Sequence, residues 1–580
     1  MTASTIPIVP AIPTDPQPPS RQRRREAPKG RRVDPLRREE LRALLGDGEL
    51  RRDRLIEYLH AINDRYGQLG MPHLAALAER LRLSQTEVFE VASFYHHFDV
   101  VREDAQGQLP APPQLTVRVC DGVACELAGA RELLARLPGL LGREVRVIPA
   151  PCVGRCETAP VAVVHQHPVR HATPESVQAA VARDLRTHEP EPYTDLAAYQ
   201  AAGGYRLLRE CTSGQRSAEA LITVLESSSL RGLGGAGFPT GRKWRSVLAQ
   251  PAPRLMAVNL DEGEPGTFKD RWYLERDPHR FLEGMLVAAW AVQAQAIYIY
   301  LRDEYHGCRA LLQRELAALK ATPPAPGLPP IELRRGAGAY ICGEESAMIE
   351  SIEGKRGMPR LRPPIVAQVG LFGRPTLQHN FETLYWVRDI VERGADWWAG
   401  HGRHGRHGLR SYSVSGRVRE PGVKLAPAGI TLRELVDEHC GGMAPGHELK
   451  AYLPGGASGG ILPARLADLP LDFDTLQPHG CFIGSAAIVV LSQQDSIAEV
   501  ARNLMRFFEH ESCGQCTPCR NGTAKASLLM EQPVWNRALL AELGQVMRDA
   551  SICGLGQAAP NPVDCLMRYF PDEIPDEVRS

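Results

Sequence analysis

The sequence predicts a multidomain α/β chain, and three observations lead there. At 580 residues the chain is too long to close around one core. The spacing of apolar side chains changes along it, from helical over residues 36–100 to alternating from Gln114, then to strand-like runs separated by helices. Two cysteine clusters and two glycine-rich, acid-bearing loops fall in separate stretches, as expected of sites housed in different domains. Lys plus Arg equals Asp plus Glu at 68 each, so no global field points to nucleic acid or to a membrane surface.

Residues 1–33 are Pro-rich, then basic, with few apolar side chains to pack, and read as a flexible arm. No apolar segment follows Arg23–Arg25, which argues against a twin-arginine export signal. The longest apolar stretch, Leu286 to Leu301, is broken by Gln293 and Gln295 and falls short of the roughly 20 residues of a membrane span. It reads as a buried helix running into a strand, and the expected location is cytoplasmic.

Residues 34–112 read as a helical bundle. Leu55, Tyr58, Leu59, Ile62, then Leu74, Leu77, Leu81, then Val88, Val91, Phe94 and Phe98 fall at helical spacing, and Ser84 with Glu87 reads as a capping box. His96 and His97 lack partners at metal spacing and read as packed or exposed.

Residues 113–190 alternate strand and helix. Leu115, Val117 and Val119 lead to Cys120-x4-Cys125, a helix over Glu126–Leu137, a strand over Val145–Ile148, Cys152-x3-Cys156, a strand over Val161–Val164, and a helix opened by Thr173-Pro174. Cysteines in loops at strand ends look like a thioredoxin-like domain. Four thiolates in two close pairs can hold the two irons of a [2Fe–2S] cluster; a structural zinc is the rival, without its usual CxxC knuckles. Fourteen cysteines in a chain with no export signal are ligands or buried thiols rather than disulfides. Cys211, Cys308, Cys342, Cys440, Cys481 and Cys565 read as isolated core thiols.

Residues 191–204 read as a linker with Gly203-Gly204 as its hinge. Residues 205–409 carry strand-like runs at 254–258, 296–301 and 331–334 between helices, which predicts a parallel, Rossmann-like sheet. The loop Gly232-Leu-Gly-Gly-Ala-Gly-Phe-Pro-Thr-Gly-Arg-Lys243 can close backbone N–H groups on an anion, and Lys243 adds a full charge, which suits a nucleotide phosphate. The run Arg254–Val258 delivers Asn259, Asp261, Glu262 and Glu264 to the carboxyl end of a strand, where open α/β sheets bind ligands. A second glycine and acid block follows at Arg335–Ser346.

Residues 410–488 show strands at Ser411–Val418 and Leu449–Leu453, a helix at Leu432–His439 and a glycine-rich loop at 453–460. No residue there has chemistry of its own, so docking or scaffolding is the expected role. Residues 489–580 are helical around Cys513, Cys516 and Cys519, with Cys553 further on; a CxxCxxC triplet plus one remote cysteine is a [4Fe–4S] pattern, with zinc the weaker alternative. Met505, Phe507 and Phe508 read as core.

The three blocks at 232–244, 259–270 and 335–346, in that order, resemble the NADH-oxidising, FMN-binding subunit of respiratory complex I and its relatives in NAD-linked hydrogenases and formate dehydrogenases. Pro151-Cys-Val-Gly-Arg-Cys156 resembles the small [2Fe–2S] subunit of the same module. The resemblance implies a β-grasp (SLBB-like) fold for 410–488 and a helical [4Fe–4S] domain for 489–580. It implies FMN on Gly232, Gly234, Gly235 and Lys243, with Asn259, Asp261, Glu262, Tyr340, Gly343, Glu344, Asn380 and Thr383 completing the pocket. NAD(H) would stack between flavin and Phe238, near Glu264 and Glu345, the two residues expected to take part in catalysis; clustered carboxylates there suggest abnormal titration. Three departures stand out: His379-Asn380 where relatives often show two asparagines, Arg362 where they have Lys, and Ile365 where they have an aromatic. Arg362 keeps the charge for a pyrophosphate or adenine contact, while Ile365 cannot stack on adenine. The acidic loops would repel the 2′-phosphate of NADPH, so NAD is preferred.

Across stretches such as His97–Val101, Leu425–Ile430 and Asn503–Phe508, the chain resembles the fused beta subunit of NAD-dependent formate dehydrogenases. The partner implied is a molybdenum- or tungsten-containing alpha subunit with further iron–sulfur clusters. Similarity to the diaphorase subunit of a bidirectional NAD-linked hydrogenase comes next, then a fused complex I subunit. A non-catalytic relay subunit with a decayed nucleotide pocket is the reading from another class.

Overall fold

The structure, a computed structural model, describes residues 30–575, so most of the basic arm expected at 1–33 lies outside the described residues. Helices Pro35–Leu45, Leu55–Tyr66, Met71–Leu81 and Gln85–Phe94 form the expected bundle. Asp34 caps the first, with Pro35 at its first position. Only half of the expected capping box forms: Ser84 accepts from the Glu87 amide, and no return bond closes it. A short parallel pair, β1 (Leu69–Gly70) with β2 (Val100–Val101), closes the unit. Of the two histidines read as packed or exposed, His97 packs: its Nδ1 lies 2.7 Å from Asp303 of the later sheet domain.

The second unit holds β3 (Leu115–Cys120), β4 (Val145–Ala150), β5 (Ala162–Val164) and β6 (His167–Val169) in the order β4-β3-β5-β6, with β3 and β4 parallel and the rest antiparallel. Helices Ala130–Leu141 and Pro174–Ala182 cover one face, packing Leu133, Leu137 and Val177 on Val117 and Val119. This is the thioredoxin-like arrangement.

The expected linker is not one. Helix Leu196–Ala201 and the turn after it are pinned to Glu283, which accepts from the Tyr199 hydroxyl at 2.7 Å and the Tyr205 amide at 2.8 Å. Gly204 is no hinge either, because a β-carbon there would sit 2.1 Å from the Tyr199 ring. A buried carboxylate needs its donors, and only a packed segment supplies them.

β7 (Arg254–Leu260), β8 (Ala294–Leu301), β9 (Ile331–Arg335) and β10 (Thr376–Asn380) form a parallel sheet in the order β10-β7-β8-β9. The apolar stretch at 286–301 resolves into the end of buried helix Pro278–Ala291 and strand β8. Among the described residues no helix is long and apolar enough to cross a membrane. The carboxyl ends of β7 and β10 both carry asparagines, Asn259 and Asn380, in register.

β11 (Leu409–Gly416), β12 (Gly422–Pro427), β13 (Leu449–Leu453), β14 (Leu462–Pro463) and β15 (Ala487–Ser492) form the β-grasp sheet, with helix Leu432–His439 after β12. The boundary expected at 488 cuts through β15, which is fully buried and pairs with both β11 and β13 at the sheet centre. Helices Ile497–Glu511, Thr517–Met530, Arg537–Ala550 and Asn561–Tyr569 build the last unit. Cys481 and Cys565, read as isolated, lie with their sulfurs 3.5 Å apart where these two units meet.

Candidate functional site

The glycine loop is closed by the Gly232 amide on the Phe238 carbonyl at 2.9 Å, and the Leu233 amide donates to Thr383 Oγ at 2.9 Å. Thr383 therefore holds the loop from outside the cavity. At Gly234 a β-carbon would lie 2.7 Å from the Asn380 β-carbon, so only glycine lets the loop approach that closely. Gly235 takes φ +128°, a value other residues rarely adopt. Phe238, expected to stack on NAD(H), is 51% exposed and is not among the residues that line the cavity. Lys243 donates to the Gln378 carbonyl at 3.2 Å, and burial lowers its pKa. His379, the departure beside Asn380, points elsewhere, accepting from the Trp244 indole at 2.8 Å; burial, with Lys243 adding to it, holds its pKa well down.

Below the loop lies a cavity of about 370 Å³, lined by Gly234, Gly235, Asn259, Asp261, Glu262, Glu264, Tyr340, Gly343, Glu344 and Asn380. Asn259 bridges the loops, donating to the Gly343 carbonyl at 2.8 Å and accepting from the Asp261 amide at 2.9 Å. Asp261 Oδ2 is buried with no hydrogen-bond partner among the described residues, and burial raises its pKa well above the usual range. An orphaned acceptor beside a glycine cradle fits a polyhydroxylated phosphate ligand such as a flavin mononucleotide. Glu262 is spoken for: it accepts from the Asp270 amide at 2.8 Å and the Tyr305 hydroxyl at 2.8 Å, and burial, then Asp270, push its pKa up.

Glu264 and Glu345 have different partners. Glu264 accepts from the Tyr340 hydroxyl and from Ser458, and burial raises its pKa against those bonds. Glu345 opens helix Glu345–Ile352 and pairs with Arg362 at 3.0 Å, while Glu344 caps that helix, accepting from the Ser346 and Ala347 amides at 2.9 Å. Arg362 also pairs with Glu344, so its charge is engaged by both acids.

Several wall residues carried no signal that sequence reasoning used. Lys269 is buried between Asp270 at 2.6 Å and Glu382 at 2.9 Å, and Asp270 accepts from Asn380 at 2.7 Å, which fixes the asparagine side chain. Ser458 and Ser485 come from the β-grasp domain, some 200 residues away in sequence. The Lys-Asp pair stood inside the acidic block and was legible as charges; the two serines were not.

The four cysteines of the thioredoxin-like domain are buried and converge. Cys152 and Cys156 sulfurs lie 3.3 Å apart, and the Cys120 thiol is raised by contact with Cys125 and Cys152, while Cys152 is pulled well down by Cys120 and Cys156. At the other end Cys513, Cys516 and Cys519 gather where helix Thr517–Met530 begins, and Cys553 caps helix Gly554–Ala558. A β-carbon on Gly556 would sit 2.8 Å from that of Cys519, so this glycine brings the fourth cysteine home. Burial raises the Cys519 thiol to about 11 and that of Cys553 to about 12, the cost a thiolate-binding metal offsets. Both donor sets fit clusters held by four thiolates.

The sites are wired into one body. Gly154 of the first cysteine loop packs on Tyr305, and its carbonyl accepts from Arg271 at 2.8 Å. The Tyr340 amide donates to Glu511 at 2.8 Å, two residues ahead of Cys513, and the Phe507 ring lies 5.0 Å from the Tyr340 ring, half-buried rather than core.

Comparison with known proteins follows this layout. Four families match: "Thioredoxin-like [2Fe-2S] ferredoxin" at residues 42–184, "Nuo51 FMN-binding domain" at 225–389, "SLBB domain" at 411–462 and "NADH-ubiquinone oxidoreductase-F iron-sulfur binding region" at 499–577. The mitochondrial NADH dehydrogenase [ubiquinone] flavoprotein 1 of Dictyostelium discoideum is 42% identical over 384 residues, 62% of this chain and 79% of that protein. The mitochondrial NADH-ubiquinone oxidoreductase 51 kDa subunit of Neurospora crassa is 36% identical over 77% of this chain and 94% of its own. A solved NAD+-reducing [NiFe]-hydrogenase chain in its H2-reduced state superposes with a TM-score of 0.77 at 31% identity, covering 90% of this chain and 92% of that one. The iron–sulfur families remove zinc from consideration at both cysteine sets. The chain therefore belongs to the complex I 51 kDa family of NADH-oxidising flavin and iron–sulfur proteins, with a thioredoxin-like [2Fe–2S] domain fused ahead of its FMN domain.

Proposed function

We propose that the chain is the diaphorase subunit of an NAD-dependent formate dehydrogenase, exchanging electrons between NAD(H) and a molybdenum- or tungsten-containing alpha subunit. FMN held there would supply two-electron hydride exchange with nicotinamide and one-electron exchange with iron–sulfur clusters. The protein's part is placement and exclusion of water. In this reading Gly234 and Gly235 offer backbone donors to the phosphate, Gly232 closes the loop through its bond to the Phe238 carbonyl, and Lys243 adds charge. Asp261, the acceptor left without a partner, takes a ribityl hydroxyl, and Asn259 and Asn380 hold the loops around it. Glu264, Glu345 and Arg362 meet the dinucleotide, and the density of carboxylates disfavours a 2′-phosphate. Cys120, Cys125, Cys152 and Cys156 ligate the [2Fe–2S] cluster; Cys513, Cys516, Cys519 and Cys553 ligate the [4Fe–4S] cluster.

The observation that carries the nucleotide reading is Asp261 Oδ2, buried and without a partner among the described residues on the wall of a glycine-cradled cavity. Formate as donor is supported by resemblance outside the cofactor motifs, at 97–101, 425–430 and 503–508. A hydrogenase diaphorase is the second reading, supported by a structural likeness that spans 90% of the chain, fused domain included. The test is to isolate the complex from its native host, identify the metalloenzyme subunit that accompanies this chain, and assay NAD+ reduction with formate and with hydrogen. Formate-dependent reduction is expected. Hydrogen-dependent reduction with no response to formate transfers the assignment to the second reading.

A further inference from the structure

The β-grasp domain was expected to dock or scaffold, yet its turns form one wall of the nucleotide cavity through Ser458, Phe482, Gly484 and Ser485. Ser458 reaches furthest. Its amide donates to Glu264 Oε1 at 2.8 Å and its hydroxyl donates to the same oxygen at 2.7 Å, while the Tyr340 hydroxyl takes Oε2. The approach is built into the turn: Gly456 has φ +75°, and a β-carbon there would lie 2.6 Å from Glu264 Cγ. From the other side, Asn561 of the cluster domain donates to the Ser458 carbonyl at 2.9 Å. Three domains thus converge on one carboxylate.

A carboxylate offers about four acceptor positions, and here three are taken by protein donors. The remaining one belongs to a fixed oxygen on the cavity wall, so the group that meets it has to bring an O–H or N–H. A ribose hydroxyl or the nicotinamide carboxamide does so; a phosphate oxygen does not. We infer that Ser458 is a positioning residue that aims Glu264 at a donor group of the dinucleotide, making the β-grasp domain part of the NAD(H) site. This rests on the reading that the cavity holds flavin and nicotinamide.

The test uses the full-length holoprotein. Flavin content is measured by fluorescence after release, NAD+ affinity by equilibrium dialysis, and KM and kcat for NADH by dye reduction. Ser458→Ala is expected to weaken NAD+ binding about tenfold, the loss of one charge-assisted hydrogen bond, with FMN content unchanged and KM rising more than kcat falls. Ser458→Thr should restore binding. In a Glu264→Ala background Ser458→Ala should cost nothing further, which a general role in folding the turn would not produce. Asn561→Ala, which loosens Ser458 without touching Glu264, should move affinity the same way by a smaller factor and serves if Ser458→Ala does not fold. Wild-type affinity in flavin-loaded Ser458→Ala, or an equal loss with Glu264 already removed, overturns the inference while leaving the flavin reading intact. Wild-type protein that retains no FMN overturns both.

Discussion

Arg302 donates to the main-chain carbonyl of Cys152 at 2.7 Å, and its other arm reaches the carbonyl of Glu262 at 2.5 Å. One buried guanidinium thus spans the flavin-domain acidic loop and the loop that carries Cys152 and Cys156. A planar fork with fixed donor directions does this; an ammonium cannot serve both carbonyls in the same geometry.

Arg302→Lys should therefore loosen the seam between the two domains without emptying either. The expected cost is about 2–4 kcal/mol, from charge-assisted bonds lost in a buried site. Denaturant unfolding followed by [2Fe–2S] absorbance and by flavin fluorescence should show the iron–sulfur domain parting first. Coincident transitions at wild-type midpoint would mean that the seam is held elsewhere.

Gly234→Ala tests the cradle. The added methyl would meet Asn380 at 2.7 Å, and Asn380 cannot retreat because Asp270 holds its amide at 2.7 Å. We expect FMN content to drop to about a tenth or less, since over 1.4 kcal/mol of clash is tenfold in binding, with far-UV circular dichroism and both cluster signals unchanged. Full flavin occupancy would show that the loop closes on something other than the flavin phosphate.

How much of this was legible in the sequence follows from what each feature demands. Cysteine spacing could be read because a cluster needs thiolates at fixed reach, and no other residue type substitutes. The parallel sheet could be read because β7 and most of β8 are buried on both faces and appear as apolar runs, while the half-buried β9 alternates Ile331 and Leu333 with charged residues. β10 escaped: Thr376-Leu-Gln-His-Asn380 carries buried polar side chains, satisfied by Trp244 and by the loop at Gly370 rather than by solvent. The β-grasp share of the cavity escaped for a different reason. Ser458 and Ser485 are ordinary loop serines until the fold carries them across, and nothing local marks them. The misread linker was a failure of composition as a guide, because Gly203-Gly204 suggested mobility where Tyr199 and Glu283 impose packing.

The two cysteine sets should be separable. Cys553→Ser removes the one ligand that reaches the [4Fe–4S] site from outside the triplet, so iron should fall from about six to about two per chain. The [2Fe–2S] electron paramagnetic resonance signal should persist, along with FMN. Cys125→Ser should do the reverse and leave about four. If either substitution erased both signals at once, the sites would not be independent and the assignment of ligands to two sets would be wrong.

The pH dependence of stability tests the environment of Glu264. Burial raises its pKa above 4.5, and the Tyr340 and Ser458 donors oppose that without cancelling it. The folded protein therefore binds this proton more tightly than the unfolded chain does. Its stabilising share is complete below about pH 4.5 and is lost as pH rises through the elevated folded value, so at neutral pH the ionised carboxylate is a net cost. Glu264→Gln removes the charge and keeps an acceptor for Ser458. The variant should melt higher than wild type near pH 8, and the gap should close toward pH 4.5, in thermal unfolding of the intact chain with clusters loaded. A gap that widened on acidification would mean the carboxyl is held down, not up, and that Ser458 and Tyr340 outweigh the desolvation that shapes this site. The same variant should bind NAD+ more weakly near pH 8, where Glu264 is ionised for its ligand at the expense of the fold, and the difference should shrink on acidification.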